Sequence, residues 1–136
     1  MREILFRGKR IRPDNDTGIT EWVYGHYMTV YGVPNIELDD GRECDVDEET
    51  VGQYTGRCDK NGNGKKIYEG DIVTGLFDFG VSINAVIAFR DGAFGLLAKQ
   101  HGVEHFHPFT SLCNVEYEVI GNIHDNPELL KESDKE

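Results

Sequence analysis

Residues 81–96 carry the pattern that most narrows what this chain can fold into. Val81, Ile83, Ala85, Ile87 and Phe89 recur at every second position, Arg90-Asp91-Gly92 follows, and Ala93, Phe94 and Leu96 resume the apolar series. A period of two sends alternate side chains to opposite faces of a strand. Asp-Gly between two such series is a strong turn signal, because glycine accepts the positive φ that a tight hairpin demands. A β-hairpin is therefore predicted across residues 81–98.

The same logic extends along the chain. Trp22, Tyr24, Met28 and Val30 share one parity and Glu21, Val23 and Thr29 the other, which suits a half-buried strand, although Tyr27 and Tyr31 blur it. Ile4–Arg7, Ile67–Val73 and Tyr117–Ile123 concentrate β-branched and aromatic residues between Gly, Asn and Asp breakers, so further strands are predicted there. Helix is scarce. Asp45–Tyr54 suits a short turn capped by an Asp side chain, and Asn126-Pro127-Glu128-Leu129-Leu130 has the cap-then-proline order of a helix start. The charged tail 131–136 is expected to fray. Between residues 56 and 66, Gly56, Asp59, Asn61, Gly62, Asn63 and Gly64 crowd into a turn-rich stretch that reads as a boundary or a long hairpin loop.

Composition bounds the class. A length of 136 residues fits one compact unit or two small modules, and 38% hydrophobic residues suffice for a core. No apolar run approaches the ~20 residues that span a bilayer, and no long apolar stretch follows Met1-Arg2-Glu3-Ile4, so neither secretion nor membrane insertion is expected. Cys44, Cys58 and Cys113 form no Cys-x-x-Cys pair and cannot all pair within one chain, which suits reduced thiols in a cytosol. The net charge of −11 opposes a general nucleic-acid binder, since phosphate neutralisation needs clustered cations. One asymmetry interrupts that average. Arg2, Arg7, Lys9, Arg10 and Arg12 stand against Glu3 alone, so this basic start is the candidate phosphate-facing surface. Its structural alternative is an edge strand whose charges discourage edge pairing or meet the acidic remainder in an oligomer, and net charge favours that alternative.

Other motifs point to turns and surfaces rather than to chemistry. Asp59-Lys60-Asn61-Gly62-Asn63-Gly64 matches the first half of a calcium loop, but the twelfth position is Gly70 instead of a bidentate Glu, which favours a structural turn. His101, His105 and His107 lie close together, and strand alternation puts His105 and His107 on one face. No Cys or carboxylate completes a recognisable zinc set, so surface histidines are the favoured reading and no metal or cofactor is expected. Gly80-Val81-Ser82-Ile83-Asn84 misses the nucleophile elbow at its last glycine, and Ser82 falls on the polar face of a strand. Gly62-Asn63-Gly64-Lys65 lacks the remaining residues of dinucleotide and phosphate loops. Asp39-Asp40 and Asp47-Glu48-Glu49 are solvated charge runs with no apolar pocket to separate their pKa values. No catalytic residue is assigned.

Two segments carry a more specific signal. Val46-Asp47-Glu48-Glu49-Thr50-Val51-Gly52-Gln53-Tyr54-Thr55-Gly56 followed by Lys65-Lys66-Ile67-Tyr68-Glu69-Gly70-Asp71-Ile72-Val73 resembles the signature of the YopX family of phage and prophage proteins. The ending from Tyr117 to Leu130 is similar to that family's C-terminal motif, and Arg2-Glu3-Ile4 to Arg7 fits its usual start. The chain departs from the pattern at Glu48, where proline is common, at His124, where an aromatic is common, and by extra loop length at Asn63-Gly64. The resemblance implies a mainly β protein, with an N-terminal β module over residues 1–58 and a small SH3-like barrel over residues 59–136. It implies a phage or prophage origin and supplies no catalytic residues. Physically, Tyr68, Ile72 and Val73 fit a strand entering a barrel, Gly70 relieves crowding or permits a bulge, and Asp71 can bond local backbone.

The function expected from these readings is that of a non-enzymatic protein-binding or assembly module in the bacterial cytoplasm, acting on a host or phage protein as a homo-oligomer. A nucleic-acid-associated role for the basic start is the alternative. An acidic surface that imitates DNA would belong with the first reading, because its partner is a protein.

Overall fold

The computed structural model describes residues 4–11, 21–59, 65–76, 82–100, 102–109 and 116–130. With 66% of these in strands and two antiparallel sheets, the protein is mainly β. The strands are β1 (Phe6–Lys9), β2 (Trp22–Val30), β3 (Val33–Glu37), β4 (Glu43–Asp45), β5 (Gly52–Cys58) and β6 (Lys66–Tyr68). They continue as β7 (Asp71–Leu76), β8 (Ser82–Arg90), β9 (Ala93–Gln100), β10 (Val103–Pro108) and β11 (Glu116–Asn122). One sheet has the order β4-β3-β2-β1-β5-β6 and the other β10-β9-β8-β7-β11. The chain divides into two compact units, residues 1–56 and 57–136.

In the first unit, β1 lies between β2 and β5, with Phe6 opposite both Gly25 and Gln53. The basic segment is thus an interior strand and not the edge strand that charge alone suggested. The reason is its other face: Phe6 packs against a core of Val23, Ile36, Cys44 and Val46, together with Tyr27, Leu38 and Val51. The Phe6 and Tyr27 rings lie 5.6 Å apart. Tyr27, which blurred the alternation of β2, shares its parity with Val23 and points to this core. Gly25 is required on the same strand, since a Cβ there would fall on the carbonyl of Glu37. The turn from β2 to β3 is made by Tyr31 at φ 51° and Gly32 at φ 79°.

The predicted capped turn is a 3-10 turn at Glu48–Thr50, where the Asp47 carboxylate accepts the N–H of Glu49 at 3.1 Å. Its last residue, Thr50, is buried and reaches β1. The Thr50 hydroxyl donates to the carbonyl of Asp47 at 2.6 Å and accepts the N–H of Lys9 at 2.8 Å.

In the second unit, the predicted hairpin forms as β8 and β9, with Phe89 opposite Phe94. Asp91 at φ 53° and Gly92 at φ 82° supply the positive φ pair that Asp-Gly signals. Its core holds Ile67, Val73, Ala85, Ile87, Leu96, Ala98 and Phe109, with Phe94 and Val119 packed against it. Each fully buried aliphatic side chain contributes roughly 1.5–3 kcal/mol.

The predicted strand Ile67–Val73 is two strands in two different sheets, β6 and β7, broken at Glu69-Gly70. Gly70 sits at φ 92°, its N–H donates to Ile87 and its carbonyl accepts from Ile123, both at 2.9 Å. Asp71 is buried, and its carboxylate accepts the N–H of Tyr68 at 2.8 Å. The family signature here records a folding junction. Ahead of it, Asp59 closes the turn-rich stretch. Its N–H donates to the carbonyl of Lys65 at 2.9 Å, and its carboxylate accepts the N–H groups of Lys65 at 3.0 Å and Val119 at 3.2 Å. Asn126-Pro127 opens a 3-10 turn, Pro127–Leu130, held to β8 by Asn84, whose amide donates to the carbonyl of Leu129 at 2.9 Å. Among the described residues no pairing joins β10 to β11.

Candidate functional site

The candidate surface is built on β1. Alternation turns Phe6 and Gly8 toward the core, so Arg7 and Lys9 share the opposite face. Directly opposed residues of antiparallel strands lie on one face, and the register sets Arg7 against Tyr24 and Lys9 against Trp22. Two cations and two aromatic rings therefore line one side of the β1–β2 ladder.

Their geometry is specific. The Arg7 guanidinium lies 4.5 Å from the centroid of the Trp22 ring and the Lys9 ammonium 5.6 Å from it. A cation over an indole face is held by the ring quadrupole, worth about 0.5–1 kcal/mol when exposed and about 2 or more when desolvated. Arg7 is only 6% exposed, whereas Trp22 and Lys9 are half-buried and Tyr24 is 46% exposed. Arg7 thus acts chiefly as a packed platform beneath the indole. Lys9 and Tyr24 are the members that face solvent.

Arg10 lies apart from this cluster. It ends the strand in an isolated bridge to Val46, and its guanidinium donates to the carboxylate of Glu21 at 3.1 Å. Arg2 and Arg12 lie outside the described residues. Of the five cations singled out in the sequence, the structure therefore brings together Arg7 and Lys9. Trp22, which organises them, was not legible as part of the site, because its place depends on the register of β1 against β2. Chemically the face offers a flat ring, a positive charge and a phenol, which suits an anionic or π-faced ligand.

The other candidates lie on other elements. His105 and His107 project from one face of β10, with ring centroids 6.4 Å apart and an interplanar angle of 24°. His101 and Cys113 lie outside the described residues, and among the described residues no group of three or more His, Cys, Asp or Glu is placed to hold a metal ion. The backbone of Ser82 belongs to β8, while Gly80 and Val81 are outside the described residues. Asp40 bonds the N–H and guanidinium of Arg42 at 3.0 and 2.8 Å. These bonds, the backbone one first, hold its carboxyl below the usual carboxylate range. Cys44 is buried and Cys58 exposed, both as free thiols. No helix among the described residues is long and apolar enough to cross a membrane.

Exposed apolar side chains mark a second surface. Phe89, 51% exposed, meets Phe94 edge-to-face at 4.8 Å beside the tip of the β8–β9 hairpin. Arg90 and Glu104 form an ion pair of 3.8 Å, which alternation places on the other face of the sheet. Register explains the exposure: Ile87 with Leu96 closes the buried layer, and Phe89 with Phe94 extends the same face beyond it.

None of the curated proteins compared with the chain matches it. The family model for the YopX protein matches residues 20–131, spanning both the capped turn that ties down β1 and the Gly70-Asp71 junction, and the chain belongs to the YopX family.

Proposed function

We propose that this protein is a non-enzymatic protein-binding or assembly module of phage or prophage origin, acting on a host or phage protein in the bacterial cytoplasm as a homo-oligomer. The observation that carries the reading is the Phe89–Phe94 pair: an aromatic residue held by its neighbour's edge, half in solvent, at the end of the β8–β9 hairpin. Interface hot spots favour large aromatic side chains that are ordered before binding and so lose little entropy on contact. The second unit is read as an SH3-like barrel, a reading supported by its meander of short antiparallel strands and the 3-10 turn at its end.

A second reading is favoured by the β1–β2 face, where Lys9, Trp22 and Tyr24 offer charge and stacking to single-stranded nucleic acid. One experiment separates the two. Tagged wild-type protein and a Phe89→Ser variant are recovered from the bacterial host, each preparation divided into nuclease-treated and untreated halves, and co-purifying proteins are identified by mass spectrometry. A stoichiometric protein that survives nuclease and is lost with Phe89→Ser is the expected result. Material that is lost on nuclease treatment and kept by Phe89→Ser overturns it in favour of the basic face.

A further inference from the structure

We propose that His105 and His107 form a two-histidine chelate for a divalent transition-metal ion of the zinc or nickel class, on the sheet face that Leu96 and Ala98 line. The two residues are separated by one position on β10, and the register pairs His105 with Ala98 and His107 with Leu96. Both imidazoles therefore leave the same face of a strand whose backbone is fixed against β9 at six successive positions. His105 is exposed, whereas His107 is half-buried and has a contact of its own, so an ion reaches the pair from the His105 side.

The spacing suits chelation. Same-face residues of a strand are about 6.6 Å apart along the chain, and the rings keep that separation, 6.4 Å between centroids with planes 24° apart. A tetrahedral ion with nitrogen ligands at about 2.0–2.1 Å brings two imidazole centroids to roughly 5 Å. Closing the difference takes about 1 Å, shared between two side chains, and rotation about their χ angles supplies it without moving the backbone. Borderline divalent ions prefer neutral imidazole nitrogen, and the order of affinity places nickel and copper with or above zinc. With no third ligand group among the described residues, the ion keeps open positions for water or an exogenous donor. The site is thus an exchangeable surface chelate and not a closed structural centre.

The test uses the untagged full-length chain and the metal alone. Zinc and nickel chlorides are titrated calorimetrically into wild-type protein and into His105→Asn, His107→Asn and His101→Asn variants, and imidazole resonances are followed by NMR at each addition. One ion per chain is expected, with the His105 and His107 rings shifting together. Loss of either ligand weakens binding by about tenfold or more, since even groups behind a ligand can be worth that much, while His101→Asn leaves it unchanged. His105 is exposed and His107 only half-buried, so both Asn variants are expected to fold, and circular dichroism checks that each does. Binding that survives in both of these variants, binding that instead disappears with His101→Asn, or no saturable binding at all overturns the proposal.

Discussion

The hydroxyl of Thr50 accepts the backbone N–H of Lys9 at 2.8 Å across 41 residues of sequence. Because the same hydroxyl donates to Asp47 at 2.6 Å, and the N–H of Asp47 donates to the carbonyl of Lys9 at 2.9 Å, the capped turn and the end of β1 are locked reciprocally. Removing the hydroxyl leaves a half-buried backbone donor without its acceptor, which costs about 1–3 kcal/mol. Thr50→Val is expected to lower stability by that amount in urea denaturation and to speed amide exchange at Lys9. Thr50→Ser is expected to restore most of it. Equal stability of Thr50→Val and wild type would remove the turn from the list of what fixes β1.

A single added methyl group tests the closest strand approach. The Cβ of Gly25→Ala would overlap the carbonyl of Glu37 on β3, a backbone atom that cannot rotate away. Overpacking of this kind costs about 1–3 kcal/mol or more. Gly25→Ala is therefore expected to lower the urea midpoint by more than Thr50→Val. A Gly25→Ala protein as stable as wild type would show that β2 and β3 are not so closely apposed.

Two tight turns of the chain, Tyr31-Gly32 and Asp91-Gly92, show where sequence reading succeeds and where it stops. Asp91-Gly92 was legible because the residues that tolerate positive φ stand between two alternating runs, and both residues adopt it. Tyr31-Gly32 makes an equivalent turn, with φ of 51° and 79°, yet a tyrosine in the left-handed region gives no local signal. The β-branched and aromatic residues on either side, Ile67, Tyr68, Ile72 and Val73, concealed the break at Glu69-Gly70, since two short strands of the same character read like one interrupted strand. Strand order is the deepest limit. Nothing local to residues 6–9 says that β2 and β5 flank them, so the cations were visible as charge while their partner Trp22 was not.

Asp59 illustrates a motif whose chemistry is inward. Both oxygens of its carboxylate take backbone N–H groups, from Lys65 and Val119, and its own N–H goes to Lys65. Asp59→Ala strands two donors and is expected to cost about 1–3 kcal/mol, with faster amide exchange at Lys65 and Val119. Asp59→Asn keeps one carbonyl oxygen and is expected to lose less. Unchanged exchange at Val119 in Asp59→Ala would break the link between this residue and β11.

Asp40 gives a titration with a defined sign. The N–H of Arg42 is the largest cause of its depressed pKa, and the Arg42 guanidinium adds to it. A folded-state pKa below the unfolded value means that the contribution is present above the unfolded pKa and lost as pH falls through the folded one. Carboxyl NMR is expected to place Asp40 below ordinary aspartates. In Arg42→Ala the pKa moves back only part of the way, because the backbone donor remains. Full return to the ordinary value in that variant would assign the effect to the side chain instead.

The basic strand can be divided by function with the chain's one tryptophan as reporter. Arg7 is packed over Trp22 with 6% exposure, whereas Lys9 and Arg10 keep their charges nearer solvent. Arg7→Ala removes both the cation–π contact and the buried aliphatic stem, so a loss of about 1–2 kcal/mol and a changed Trp22 emission are expected. The double change Lys9→Gln with Arg10→Gln is expected to leave stability within about 0.5 kcal/mol, as surface substitutions commonly do. If this face binds single-stranded nucleic acid, the double variant reduces the salt dependence of affinity by about one to two units of slope, while folding stays intact. A salt slope that is the same in the double variant and in wild type would take Lys9 and Arg10 out of phosphate contact and leave Arg7 and Trp22 with a purely structural role.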